Sequence, residues 1–253
     1  MTVAKNPIKT SVKTLTILDA LSGSDGARIT ELADELGYTK GTVHHHLSTL
    51  EEHEYVVKRG GKYHLGMRVF QLGEATRQEH DLYEVAKPEL DKLADKTGEL
   101  ANLMIEEHGR GYYLYIARGD EAINLDTKIG TRQYLHSSAL GKVILAHLPK
   151  DRTTEIIDRH GLVAQTPNTV TDRDTFWEIL DTVAENGVAF DGEERAEGIR
   201  CVAAPITDND SRVLGAVSVS GPASRLKGTR FRDEIPELVK QAATVIGINV
   251  SYL

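Results

Sequence analysis

The chain has 253 residues, which at roughly 100–200 residues per domain fits two domains better than one. Hydrophobic residues make up 40% and charged residues 27%, proportions that exclude a wholly disordered chain and a fibrous or collagenous fold. The formal net charge is −8, and the single cysteine, Cys201, excludes an internal disulfide and any multi-cysteine zinc site.

Charge is unevenly spread. Residues 1–66 hold eight Lys+Arg and eight Asp+Glu, so the whole acid surplus lies in the remainder. Five of the ten histidines also fall in that first quarter. A neutral, histidine-rich start and an acidic remainder imply two parts with different partners. The charge-free stretches Val213–Ser224 and Gln241–Leu253 fall short of the roughly 20 apolar residues that a membrane helix needs. Lys5 and Lys9 lead into no apolar run of leader type, so a soluble, cytoplasmic protein is expected. The acid surplus would suit a high-salt cytoplasm, where screening is strong; an ordinary mildly acidic protein is the simpler reading.

Ile8, Val12, Leu15, Leu18 and Leu21 recur at helical spacing until Gly23 and Gly26 interrupt them. Leu32, Ala33 and Leu36 form a second, short apolar stripe that ends at Gly37. A third helix begins near Lys40 with Val43, Leu47 and Leu50 on one face, and Thr39 is placed to cap it. Arg59-Gly60-Gly61 then separates two β-prone runs, Tyr55–Lys58 and Lys62–Leu65, which is a hairpin signal because primed turns need positive φ. Three short helices and a hairpin in this order are a winged helix-turn-helix. Met67–His80 reads as a further helix, polar over much of its surface, followed by the helical pattern Tyr83–Lys96. The domains are accordingly residues 1–66, a linker helix at 67–82, and a second domain at 83–253.

On the third helix, Gly41, Thr42, His45, Ser48 and Thr49 project away from the apolar face and His44 flanks them. Short polar donors and imidazoles on one exposed face suit base edges and phosphate oxygens in a major groove. Lys40 at the helix start, with Lys58, Arg59 and Lys62 on the hairpin, supplies phosphate contacts. The run His44-His45-His46 is no chelate, since successive helix positions diverge by about 100°. A DNA-binding segment with no net positive charge binds weakly alone and calls for a second copy.

Beyond residue 100 the expected strands are Leu100–Glu106, Gly111–Ala117, Ala122–Lys128, Cys201–Thr207 and Arg212–Ser220. Helices are expected at Ser138–His147, Arg152–His160, Arg173–Asn186 and about Asp233–Val250. Such a pattern implies an α+β domain with an antiparallel sheet covered on one face. In Gly215–Gly221, alternation sends Val217 and Val219 to one face and Ala216, Ser218 and Ser220 to the other. The same rule places Cys201 and Ala203 together, opposite Val202 and Ala204. If the two strands are neighbours, Cys201, Ser218 and Ser220 share a floor of small side chains that leaves room for a ligand.

The sequence resembles the IclR family of transcriptional regulators over nearly its whole length, from about Val12 to Ile248. The resemblance rests on Ile29–Ala33, Lys40-Gly-Thr-Val-His44 with Leu47 and Leu50, Leu65–Arg68 with Leu72-Gly73, and Asn102-Leu103. It continues through His136–Lys142 with Leu145-Ala146, and through Gly187-Val-Ala-Phe-Asp191 followed by Glu194 and Cys201–Ile206. His45 and His46 depart from the arginine and aliphatic residue usual in the family, and Thr207 from an aromatic or histidine. The resemblance implies a winged helix-turn-helix, a linker helix and a profilin- or GAF-like effector-binding domain. It also implies dimers or dimers of dimers on promoter DNA, controlled by an organic, sugar or aromatic acid. It points to the Cys201 and Ser218/Ser220 floor as the effector site and adds Asp191 with Ala139 and Leu140. The free amides at the start of the Ser138–His147 helix would suit a carboxylate.

Two other readings use the same residues. His136, Asp191 and Cys201 could ligate a metal in a metal-responsive regulator, or Cys201 could serve a hydrolase with His136 and Asp191. A lone cysteine among alanines is more often a small inert hydrophobe. Gly141-Lys142 lacks the glycine spacing of a phosphate loop, and no dinucleotide or HExxH motif occurs, so no enzyme, cofactor or metal is expected.

Overall fold

A computed structural model describes residues 5–125 and 127–252. Asp126, which falls inside the expected strand Ala122–Lys128, lies outside the described residues, as do the first four residues and Leu253. The chain forms two compact units that divide between Arg77 and Gln78.

In the first unit, helices α1 (Lys9–Ser22), α2 (Ile29–Leu36) and α3 (Lys40–Glu52) precede strands β1 (Val56–Arg59) and β2 (Lys62–Leu65). Ile17 and Leu21 of α1, Leu32 and Ala33 of α2, and Val43, Leu47 and Leu50 of α3 form one core with Val56 and Tyr63. Gly37 ends α2 in the left-handed conformation that a tight turn into α3 requires, and its amide returns to Ala33 O. Gly60 and Gly61 have φ of +57° and +81°, the primed turn that the adjacent glycines predict. An isolated bridge between Ala27 and Tyr63 stitches the hairpin to the α1–α2 loop. Helix α4 (Met67–Gln78) follows and buries none of its residues.

The second unit contains α5 (Asp81–Thr97), β3 (Leu100–Glu107), β4 (Arg110–Arg118), β5 (Arg132–Gln133), α6 (Ala139–His147), α7 (Lys150–His160) and α8 (Arg173–Asn186). It closes with β6 (Ala189–Gly192), β7 (Ile199–Thr207), β8 (Val213–Pro222), a π-helical turn at Arg230–Glu234 and α9 (Ile235–Val250). The six strands form one sheet in the order β5-β4-β3-β8-β7-β6, antiparallel throughout.

Two expectations need correction. Residues 122–125, 127 and 128 form no strand; the edge strand is the shorter Arg132–Gln133, which follows a turn at Gly130. The β-prone composition of that segment serves side-chain packing instead, with Thr127 buried. The sheet is also covered on both faces. Val202, Ala204, Val217 and Val219 pack with α5 and α9, as the valine alternation implies. Met104, Cys201, Ala203 and Ala216 meet α6, α7 and α8 on the other side. The small residues of this second face leave space that α6 enters, and α6 is buried along Ala139–Leu145.

Close approach of α6 depends on Gly141, where a Cβ would collide with Leu135 O. Gly141→Ala should therefore cost about 1–3 kcal/mol in the second unit by overpacking. Gly192→Ala, whose Cβ meets nothing within 4 Å, should cost little. Calorimetric unfolding of the two variants checks the difference; equal midpoints would contradict the close-packing argument.

Candidate functional site

In the first unit, Thr39 Oγ1 caps α3 by accepting from the Thr42 amide at 3.1 Å. The buried faces of Val43, Leu47 and Leu50 orient the helix so that Lys40, Gly41, His44, His45, Ser48 and Thr49 are exposed and Thr42 half-buried. Thr49 Oγ1 turns back to His45 O, and the His44 and His45 rings meet edge to face at 5.9 Å. His46 is held at the edge of the core: Thr14 Oγ1 donates to Thr10 O and so accepts from His46 Nδ1–H at 2.8 Å. Burial and the nearby Lys13 keep the His46 ring below the usual imidazole range. On the hairpin, Arg59 and Lys62 face each other across the turn, and Lys58 lies over the Tyr63 ring. None of Lys40, Lys58, Arg59 and Lys62 forms an ion pair among the described residues.

In the second unit, the β6, β7 and β8 register sets Asp191 opposite Cys201 and Cys201 opposite Ser220, in one row across three strands. Ser218 lies opposite Ala203 in the next row. Asn102 Nδ2 donates to both Ser218 Oγ and Ser220 Oγ at 3.1 Å, and Ser220 Oγ donates to Cys201 Sγ at 3.0 Å. These groups stand at the wall of a cavity of about 300 Å³ that Leu140, Asp191, Cys201 and Ser220 line. Ser218 is fully buried behind it, and Ala139 is likewise buried without reaching the cavity wall.

Sequence reasoning missed Tyr113, Leu125, Thr127, Ser138, Arg195, Ala196 and Ile199, which complete the lining. Only Ser138 carried a signal, as the cap of α6, where its hydroxyl accepts from the Gly141 amide at 3.1 Å. A wider and more open cleft of about 720 Å³ runs between α8 and the start of α9, and holds none of the predicted effector residues. The smaller cavity is the one where buried polar groups converge, which is the stronger mark of a ligand site.

The loop after β6 is anchored at several points. Lys142, buried in α6, donates to Phe190 O at 2.8 Å and pairs with Glu194. Thr166 Oγ1 donates to Glu193 O at 2.8 Å, and the Glu194 amide donates to Asp191 Oδ1 at 2.7 Å. Burial raises Asp191 to about 6, and it pushes the Cys201 thiol up to about 11, with the Asp191 charge adding to the rise.

The metal and hydrolase readings lose their geometry here. His136 Nε2 meets Val163 O at 3.0 Å, its ring packs on Tyr134 and Phe176, and it does not line the cavity. Among the described residues no group of three His, Cys, Asp or Glu side chains could hold a metal ion. Burial raises the Cys201 thiol and no histidine among the described residues lines the cavity beside it, so the thiol and base that a cysteine nucleophile needs are not brought together here.

A winged helix-turn-helix with unpaired cations, in one chain with a sheet domain that encloses a polar cavity, defines a DNA-binding protein with a separate ligand-sized chamber. The IclR helix-turn-helix profile matches residues 11–60, and the profile of the bacterial transcriptional regulator IclR C-terminal domain matches residues 74–248. The chain is 36% identical to the probable HTH-type transcriptional regulator ArcR of Halobacterium salinarum, over 92% of this chain and 90% of that one. The Thermotoga maritima IclR structure superposes with a TM-score of 0.77 at 26% identity, over 96% of this chain and 99% of that one. An IclR homologue from Microbacterium hydrocarbonoxydans, crystallised with 4-hydroxybenzoate, shares the fold with a TM-score of 0.82 at 20% identity, over 97% and 100% of the two chains. The chain belongs to the IclR family and is a DNA-binding transcriptional regulator of that type. Its relatives are transcriptional regulators, and no helix among the described residues is long and apolar enough to cross a membrane.

Asp191 yields a stability test. Its unfolded value is about 3.9, so between that value and about 6 the folded chain keeps a proton that the unfolded chain has lost. Stability contributed by this group therefore falls as pH rises through that window. Asp191→Asn escapes the cost, so its stability relative to wild type should rise from pH 4 to pH 6 by up to about 3 kcal/mol and then level off. Urea unfolding at pH 4, 5, 6 and 7.5 measures this; a difference independent of pH would contradict the burial of an ionisable Asp191.

Proposed function

We propose that the chain is a cytoplasmic regulator that binds double-stranded operator DNA as a homodimer or dimer of dimers and alters that binding when a small organic, sugar or aromatic acid enters the cavity. Residues 1–66 read DNA, residues 67–82 link the parts, and residues 83–253 hold the effector and the oligomer contacts. The observation that carries this reading is the polar, exposed face of α3 in one chain with a cavity that gathers Asp191, Cys201 and Ser220. Lys40, Gly41, Thr42, His44, His45, Ser48 and Thr49 meet base edges and neighbouring phosphates, and Lys58, Arg59 and Lys62 meet phosphates. Asp191, Cys201 and Ser220 contact the effector; Ser218 shapes the floor from behind through Asn102; Ala139 and Leu140 serve through the start of α6. The 4-hydroxybenzoate in the Microbacterium homologue supports an acid as effector.

Dimerisation is supported by apolar side chains that the unit leaves in water. Ile8, which precedes α1, and Val12 and Leu15 of α1 are 71%, 46% and 61% exposed, and Met67 and Phe70 of α4 are 73% and 62% exposed. Such surface marks an interface, and a second copy doubles the phosphate contacts that one neutral domain lacks.

Arg59→Ala should reduce the slope of log affinity against log salt by roughly 0.9 for one lost phosphate contact, without changing sequence preference. Anisotropy titrations with operator DNA at several salt concentrations measure it, and an unchanged slope would take the wing off the DNA. Ser218→Leu and Ser220→Leu should abolish the effector response and leave operator affinity intact. A normal response in both variants would place the effector elsewhere.

A further inference from the structure

A cluster of cations stands at the edge of the second unit's sheet, in the part of the chain that carries the whole acid surplus. Arg110 opens β4, and its guanidinium lies over the Tyr134 ring, with Cζ 3.7 Å from the ring centroid. Tyr134 is itself braced: it meets His136 edge to face at 5.6 Å, and His136 packs on the fully buried Phe176. Arg132 comes from the edge strand β5, where it stands opposite Tyr112, two positions beyond Arg110. His160, the last residue of α7, lies against Gly109, where a Cβ would stand 2.7 Å from Nε2. That nitrogen donates to His108 O at 3.1 Å. Burial first, then the charges of Arg110, Arg159 and Arg132, holds the His160 ring below the usual imidazole range.

The carboxylates nearby are already engaged. Glu106 accepts from the Gly109 amide at 2.6 Å and pairs with Arg152 at 2.8 Å. Glu107 lies 3.7 Å from His108 Nε2, and Asp158 pairs with Arg173. Arg110 is half-buried and Arg132 exposed, and among the described residues neither forms an ion pair. An arginine that nothing holds is merely hydrated. Arg110 differs, because stacking fixes the plane of its guanidinium, so its N–H edge is set before a ligand arrives and less freedom is lost on binding. Such a fork matches the oxygens of a phosphate two at a time, and Arg132 adds a second positive charge beside it. We propose that the Arg110–Tyr134 stack, with Arg132 and His160 beside it, is an anion site that takes a phosphoryl group. None of the four residues lines the 300 Å³ cavity, so this site is separate from that of the effector. Two sources can bring the group, a free phosphorylated metabolite and the DNA backbone, and the experiment separates them.

The first arm is calorimetric titration of the full-length protein with pyrophosphate at pH 7. Arg132→Gln, a surface change, should weaken binding roughly tenfold or more, the loss expected for one charge-assisted contact. Arg110→Lys, which keeps the charge but gives up the stacked fork, should weaken it similarly. Proton NMR of His160, assigned with His160→Gln, should show the ring titrating at higher pH when pyrophosphate is bound, since a nearby anion favours the imidazolium. The second arm is anisotropy with a minimal operator and with the same operator extended by one helical turn on each side. If the DNA backbone is the source, Arg132→Gln should lower the slope of log affinity against log salt by roughly 0.9 on the extended duplex alone. Pyrophosphate binding of the expected kind without a flank effect assigns a free phosphorylated ligand; a flank effect without pyrophosphate binding assigns DNA; both together assign a site open to either. Absence of both effects would overturn the proposal. So would pyrophosphate binding that Arg132→Gln and Arg110→Lys leave unchanged, or that leaves His160 unmoved. Binding that falls as much in Ser220→Leu or Lys62→Ala would put the anion in the cavity or on the DNA-reading hairpin, and would overturn it as well.

Discussion

A lysine without water organises the effector domain. Helix α6 is enclosed on every side, and Lys142 in its middle is 2% exposed. A buried ammonium persists only where a counter-charge and carbonyl oxygens take its protons. Glu194 and Phe190 O supply them, and in doing so they tie the end of β6 and its following loop to α6. Asp191 sits between those two anchor points, and the same loop places the Glu194 amide against its carboxylate and brings Arg195 to the cavity. Glu194 Oε2 stays buried with no hydrogen-bond partner, so the pair is not a local optimum of stability. Its contribution is position: the cavity wall follows from where the ion pair holds the loop.

The floor of the same cavity follows from side-chain size. Cys201, Ala203, Ala216 and Ser218 leave the sheet surface low, so α6 can approach and a chamber remains beside the row of Asp191, Cys201 and Ser220. The opposite face carries valines, leucines and isoleucines and is filled by α5 and α9. One sheet thus has a face filled by large apolar side chains and a face of small ones that packs on α6, α7 and α8 and leaves a cavity at one side. The first unit separates its tasks by helix face: α3 uses its apolar side for the core and keeps donors outward, while α1 and α4 leave apolar residues exposed.

Much of this was legible in the sequence. The winged helix emerged from helical spacing, Thr39 and two adjacent glycines, because local signals decide short helices and primed turns. Period-two alternation placed Cys201, Ser218 and Ser220 on one face, and the register confirms that they share it. Depth was not legible: alternation assigns a face but not distance from a cavity, and Ser218 proves to stand behind the wall that Ser220 forms. Arg195 was missed because it lies in an irregular loop whose path is set by Lys142, 53 positions away in sequence, and no periodicity reports such a contact. The strand expected at Ala122–Lys128 fails at its described residues for the same reason, since β-prone residues there serve packing and not a ladder. The second covered face went unseen because α7 and α8 are amphipathic whichever face of the sheet they meet.

The central claim is that an acid sits between α6 and the loop that Lys142 holds. Hydrogen exchange with and without saturating 4-hydroxybenzoate or lactate tests it directly. The account predicts slowed exchange in the peptides spanning Ser138–Lys142 and Phe190–Cys201, with little change across Thr175–Asn186 and Arg232–Lys240. Protection confined to the latter two segments, which line the wider cleft, would contradict it.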